Sequence, residues 1–167
     1  MSTFVIVNTY THAVTYVTDK LLTSIKNIIR QSGLSPERFT TQWTTIEQGV
    51  TAWLRSQHLE RLILEVYNPT TDGLVGRWDF DIFYGYEGDG SFWIDPDAIK
   101  YHILKQGIWP ASCEYRIVAT TKSGRPDVAG WSSTTLRSTD GFVRQSIGTA
   151  INGSGLSTGT GYWRKAT

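Results

Sequence analysis

The sequence predicts a single α+β domain. Three stretches carry apolar residues at helical spacing with marked ends, and three others alternate or run apolar at strand length, two of them joined as a hairpin. A glycine-rich last quarter of different character follows them. At 167 residues, with 40% hydrophobic residues and seven tryptophans, the chain has the length of one domain and ample apolar surface for one core.

Thr3–Asn8 holds Phe4, Val5, Ile6 and Val7, a short β-prone run read as a buried strand or docked arm. Ala13, Val14, Val17, Leu21, Ile25, Ile28 and Ile29 recur at steps of three and four and stop at Gly33, which predicts a long first helix. Tyr16 and Leu22 widen its apolar stripe, so this helix is expected to pack across a sheet as the central pillar. Ser35, Pro36 and Glu37 open a second helix, carried by Trp43, Ile46, Val50, Trp53 and Leu54 to about His58.

Leu62–Tyr67 reads as a strand closed by Asn68 and Pro69. After a turn at Asp72 and Gly73, Arg77–Tyr84 is its hairpin partner. Trp78, Phe80, Ile82 and Tyr84 share one face of that partner while Asp79 and Asp81 take the other, so one face is expected buried and the other mostly wet. Asp95, Pro96 and Asp97 give the capped start of a third helix that runs by Ile99, Ile103 and Leu104 to Gly107. Glu114–Thr121 alternates as a third main strand. Val128–Leu136 is β-prone, but Gly148–Gly161 lacks the spacing of a fixed core element. With Trp131, Phe142, Ile147, Leu156 and Trp163 as apolar anchors, the tail reads either as a movable flap or as an ordinary surface meander with a frayed end.

Sixteen basic and fifteen acidic residues give a net charge of +1, which offers no broad positive field for phosphate backbones. Cys113 is the only cysteine, so no internal disulfide forms, and a reducing, cytoplasmic setting is expected. Neither a secretory start nor a membrane-length apolar run is present. His12, His58 and His102 lie far apart and no metal-ligand spacing occurs, so no metal or cofactor is expected.

Gly153, Gly155, Gly159 and Gly161 lack the Lys-Ser or Lys-Thr ending of a phosphate loop, and no nucleophile elbow appears. The loop carrying Gly85, Glu87, Gly88, Asp89 and Gly90 has turn chemistry. Arg137, Arg144, Arg164 and Lys165 are scattered and read as a solvated flap rather than a nucleic-acid contact. Asp79 and Asp81 are close enough to serve as paired carboxylates. The simpler reading is a solvated strand face, with a small enzyme built on these acids, or a nucleic-acid-binding module, as the alternatives.

Several word-like stretches then bear on the family. Thr11-His12-Ala13-Val14-Thr15-Tyr16-Val17 opens the long helix, Glu65-Val66-Tyr67-Asn68-Pro69 ends a strand, Gly76-Arg77-Trp78-Asp79-Phe80-Asp81-Ile82 opens its partner, and Tyr115-Arg116-Ile117-Val118 lies in the third. In this order they resemble the bacterial HORMA proteins encoded beside cGAS-like nucleotidyltransferases in cyclic-oligonucleotide antiphage systems (CBASS). The resemblance covers nearly the whole chain and includes no catalytic signature.

It implies three helices packed on an antiparallel sheet, a core over about residues 1–124, and a C-terminal safety belt over about 125–167 that rearranges between an open and a closed form. A closure-motif peptide would add as a strand along Cys113–Thr121, with Tyr115, Ile117, Ala119, Trp131 and Trp163 as contacts. The clasped form would bind and activate a cGAS/DncV-like nucleotidyltransferase. A TRIP13-like AAA+ ATPase would engage the amino-terminal segment Ser2–Tyr10 and reset it. The implied role is a non-enzymatic sensor and adaptor with no cofactor, membrane or nucleic acid of its own.

Overall fold

A computed structural model describes residues 9–85, 93–153 and 155–166. The expectations for Thr3–Asn8 and for Glu87 to Gly90 lie outside the described residues, as does most of Ser2–Tyr10. The element order is α1 (Thr9–Gln31), α2 (Glu37–Thr41), α3 (Trp43–Arg55), β1 (Leu59–Tyr67), β2 (Leu74–Tyr84), β3 (Trp93–Ile94), α4 (Pro96–Gln106), β4 (Glu114–Thr121), β5 (Phe142–Gly153) and β6 (Leu156–Lys165). Among the described residues no helix is long and apolar enough to cross a membrane.

α1 is the pillar that its spacing predicts. Val14, Val17, Leu21, Leu22, Ile25, Ile28 and Ile29 are all fully buried along it. It ends where Gly33 takes a left-handed φ of +93° and Leu34 N–H donates to Ile29 O at 3.0 Å, a glycine stop of the expected kind. A Cβ at Gly33 would also meet Ile108 Cγ2 at 2.6 Å, so both the turn and the packing call for glycine.

The expected second helix is two helices. The chain leaves helical geometry at Gln42 (φ −92°, ψ 3°) between α2 and α3. α2 has no side-chain cap from the residue before it, and its amide at Phe39 instead donates to the hydroxyl of Tyr115 at 3.1 Å. That hydroxyl donates in turn to Ser35 O at 2.8 Å. A residue of β4 therefore satisfies one of the amides that a helix start leaves unpaired, which docks α2 against the sheet. α4 follows its end signals: the side chain of Asp95 accepts from Ala98 N–H at 3.0 Å, Pro96 is the first helical residue and Gly107 ends the helix, while Ile99 and Ile103 are buried and Leu104 is exposed.

All strands are antiparallel, in the order β3-β5-β6-β2-β1-β4. Leu64 lies opposite Trp78 on one side and Ile117 on the other, and Trp78 lies opposite Tyr162, its ring stacked on the tyrosine at 4.9 Å. These residues form the helix-facing layer.

The opposite face is not the wet face expected from Asp79 and Asp81. Glu65 and Asp79 are 0% exposed and Arg77 5%. In register, Glu65 lies across from Arg77 and Arg77 from Trp163, so charged groups of β1 and β2 meet one another and the indole of β6, which provides the partners that burial demands.

The tail also differs from expectation. β5 and β6 are long, and β6 lies inside the sheet between β5 and β2. Ile151, Leu156 and Tyr162 are buried with the core, so buried residues continue well past residue 124. Glycine content hid a period of two. Thr158, Thr160 and Tyr162 are buried on the helix side, while Gly159 and Gly161 fall on the charged face. There a Cβ would meet Phe83 at 3.0 Å and the guanidinium of Arg144 at 2.7 Å.

If the hairpin is part of the core, Leu156→Ala should cost about 2–5 kcal/mol in denaturant unfolding, as Leu21→Ala should in the pillar. An unchanged midpoint for Leu156→Ala would show the hairpin to be an appendage.

Candidate functional site: a strapped sheet edge

β4 ends the sheet. One side of it pairs with β1 from Glu114 to Thr121, and among the described residues no strand pairs with its other side. An edge of this kind offers free N–H and C=O groups and is normally covered or blunted. Here residues 122–141 run over it.

The path of this strap is fixed at successive points. Lys122 N–H donates to His58 O at 2.8 Å, and Trp53 Nε1 donates to Pro126 O at 2.7 Å. Trp131 Nε1 donates to Thr45 O at 2.9 Å, and its ring meets Trp53 edge-on at 4.9 Å. α3 accommodates that indole through Gly49, where a Cβ would lie 2.3 Å from Trp131 Nε1.

The strap then passes to the opposite face of the sheet. Arg116 on β4 donates to Thr134 Oγ1 at 2.8 Å and to Thr135 O. Arg137 donates from its backbone to Glu65 Oε2 at 2.9 Å and from its side chain to Glu65 Oε1 and to Asp72. Its guanidinium also lies 3.6 Å from the Tyr67 ring centroid.

These contacts have an electrostatic logic. Glu65 is fully buried, and a lone carboxylate there would cost several kcal/mol. Arg116 from the sheet, at 2.7 Å, and Arg137 from the strap together satisfy it. Burial works against the Arg137 charge, but its bonds to Asp72 and Glu65 outweigh that and hold its pKa above the ordinary arginine value.

The β5–β6 hairpin is fixed in the same manner. Asp79 accepts from Arg77 at 2.7 and 3.2 Å and from Trp163 Nε1 at 3.0 Å. Arg144 reaches Asp81 at 3.1 Å, and Arg77 lies 5.3 Å from the Trp163 ring centroid.

Between β4 and the strap is a cavity of about 330 Å³ whose lining includes Trp53, Ile117, Ala119, Trp131, Thr134 and Leu136. Of the contacts expected from the sequence, Ile117, Ala119 and Trp131 come together here. Tyr115 does not join them. It is 7% exposed, ties down α2, and borders a separate pocket with Cys113 and Arg38.

Trp163 is likewise elsewhere, on β6 with β2 and β1 between it and β4, where it bonds to Asp79. It anchors the hairpin rather than lining the cavity. Asp79 and Asp81, expected as a solvated pair, are held by Arg61, Arg77 and Arg144. Arg137 and Arg144 are likewise ion-paired rather than solvated, whereas Arg164 and Lys165 are exposed.

Sequence reasoning missed Trp53, Glu65, Arg125 and Leu136. An acid within the apolar run Leu62–Tyr67 is the one signal that pointed to Glu65. His102 Nδ1 is 3.2 Å from the Tyr162 hydroxyl, and burial, with Lys105 nearby, holds its pKa below the ordinary histidine value. Among the described residues no group of three or more His, Cys, Asp or Glu could hold a metal ion.

Comparison with known proteins gives a family and several structural relatives. The family model described as bacterial HORMA domain 2 matches residues 1–166. No curated protein matches by sequence. A chain of the mitotic checkpoint complex has 12% identity and a TM-score of 0.76, with 92% of this chain and 99% of that chain covered. C. elegans HTP-1 bound to the HIM-3 closure motif has 11% identity and a TM-score of 0.72, covering 91% and 89%. The E. coli MS115-1 HORMA:CdnC:Trip13 complex contains a chain with 12% identity and a TM-score of 0.55, covering 100% and 98%. Likeness at these identities carries the fold.

Gly49→Ala gives a direct check on the strap. Helix propensity alone favours alanine by about 1 kcal/mol, but the added methyl would displace Trp131. Proteolytic cutting within residues 122–141 should then rise about tenfold, as expected from losing one aromatic contact and one hydrogen bond. Stabilisation without faster cutting would mean the indole is not seated on α3.

Proposed function

Because the chain belongs to the bacterial HORMA domain 2 family, we propose that it is an adaptor of antiphage signalling that clasps a closure-motif peptide as an added strand on β4. In its clasped form it binds and activates a cGAS/DncV-like nucleotidyltransferase, and it makes no messenger itself. The observation that carries this reading is the unpaired side of β4 lying beneath a strap, with Trp53, Ile117, Ala119 and Trp131 around the space between them.

The physics follows from that arrangement. A peptide laid along Glu114–Thr121 supplies the missing backbone partners, which gives affinity, while alternate side chains enter the cavity, which gives selectivity. The strap crosses outside the guest, so release requires the Trp131 and Arg137 contacts to open first. Dissociation is therefore slow, and a machine that opens the strap has a task. A TRIP13-like AAA+ ATPase pulling on Ser2–Tyr10 would act at the start of α1, the pillar against which β5 and β6 pack.

In this reading the belt, about residues 125–167, comprises strap and hairpin, and the remainder, about 1–124, is the frame they move against. The structure of C. elegans HTP-1 with a closure motif and the E. coli assembly of a HORMA protein with CdnC and Trip13 support the partners named. A cytoplasmic site of action accords with the lone Cys113.

Capture of the tagged chain from infected and uninfected cells, with mass spectrometry of retained peptides, should identify the closure motif. With that peptide, Trp131→Ala should speed dissociation at least tenfold, since a buried tryptophan anchor is commonly worth about 2 kcal/mol or more. Its denaturation midpoint should fall less than that of Leu21→Ala, because Trp131 is only partly buried. Unchanged retention in Trp131→Ala, or activation of the nucleotidyltransferase without any bound peptide, would overturn the proposal.

A further inference from the structure

The helix-side wall of the cavity carries one charge whose placement differs from the other arginines nearby. Arg116 and Arg137 are both committed to the buried Glu65. Arg125, which also lines the cavity, lies 5.1 Å from the Trp53 ring centroid, and its side chain is 27% exposed. Its ion-pair partner is Asp127, at 3.4 Å and fully exposed to solvent. A pair of that kind contributes little and exchanges readily with other carboxylates.

Trp53 touches both Trp131 and Arg125. Trp131 meets its ring edge-on at 4.9 Å and Arg125 at 5.1 Å. Trp53 is itself 1% exposed, and its Nε1–H holds Pro126 O at 2.7 Å, which fixes the backbone beside Arg125. An indole wall and a guanidinium therefore line one cavity beside β4, each against the same ring. Side chains at i and i+2 of an extended strand project to one face about 7 Å apart. Because Arg125 and Trp131 each lie about 5 Å from the Trp53 ring centroid, two such side chains of a guest can reach both.

We propose that Arg125 is a specificity-determining residue: the slot selects guest strands with a large apolar side chain against Trp53 and Trp131 and a carboxylate two positions away for Arg125. The inference rests on the reading that a guest pairs with β4. Asp or Glu on the guest replaces exposed Asp127 with a partner held beneath the strap. There the lower dielectric strengthens the attraction, and the guanidinium fork can donate two hydrogen bonds to the carboxylate. The intervening guest residue faces the other way and is free to vary.

The test uses the full chain, its Arg125→Glu variant and its Arg125→Gln variant, each panned against a random twelve-residue peptide library. Selected peptides are then measured by fluorescence polarisation. The parent should enrich Asp or Glu two positions from an aromatic or large aliphatic residue, and replacing that acid with alanine should weaken binding about tenfold. Arg125→Glu should enrich Lys or Arg at the same position. Arg125→Gln should keep the apolar preference and lose the acidic one, so the assignment stays testable should the charge reversal fold poorly. Identical sequences from all three proteins would overturn the role of Arg125 and leave the β4 clasp standing. Recovery of no binding peptide by any of them would overturn the clasp itself, and this inference with it.

Discussion

Two carboxylates shielded from water, Glu65 on β1 and Asp79 on β2, set where the tail of this chain lies. Each is served first by an arginine of the frame, Arg116 or Arg77, and then by donors that arrive with the tail, Arg137 at one and Trp163 at the other. Buried ion pairs add little net stability over well-packed apolar groups, yet removing one partner costs several kcal/mol. Their effect here is to specify position. A slip of one residue in β6 would turn Trp163 to the helix side and Tyr162 to the charged side, and both would lose their partners.

That placement determines the rest of the architecture. With β6 paired to β2, the outward side of β4 is left as one end of the sheet. The chain between β4 and β5 must then travel from the helix layer, where Trp131 rests on Trp53, to the opposite face, where Arg137 meets Glu65. It does so by crossing the free side of β4. The strap and the cavity beneath it are thus geometric consequences of docking the hairpin at the other end of the sheet.

Much of this was legible in the sequence. The spacing from Ala13 to Ile29, the cap at Asp95 with Pro96, and the alternation of Trp78, Phe80 and Ile82 each reflect interactions within a single element, and each held in the structure. What escaped depends on residues brought together from far apart. Asp79 resembles a solvated acid until Trp163, 84 positions later, is laid against it, and Arg137 resembles a flap charge until Glu65, 72 positions earlier, receives it. The short α2 is docked by a bond from Phe39 to Tyr115, which no helical pattern records. The alternation of Gly159 and Gly161 was written in the sequence, but it reads as looseness until the bulk of Phe83 and Arg144 above them is known.

Among the described residues the sheet has a second partly open margin, where β3 pairs with β5 opposite Ile151 and Asn152 alone. Amide hydrogen exchange with and without a retained peptide therefore tests the central claim most directly. The account requires new protection at Glu114–Thr121 and in the strap, larger than any change along β5. Protection appearing along β5 instead, with β4 exchanging as before, would place the guest at the wrong end of the sheet and contradict it.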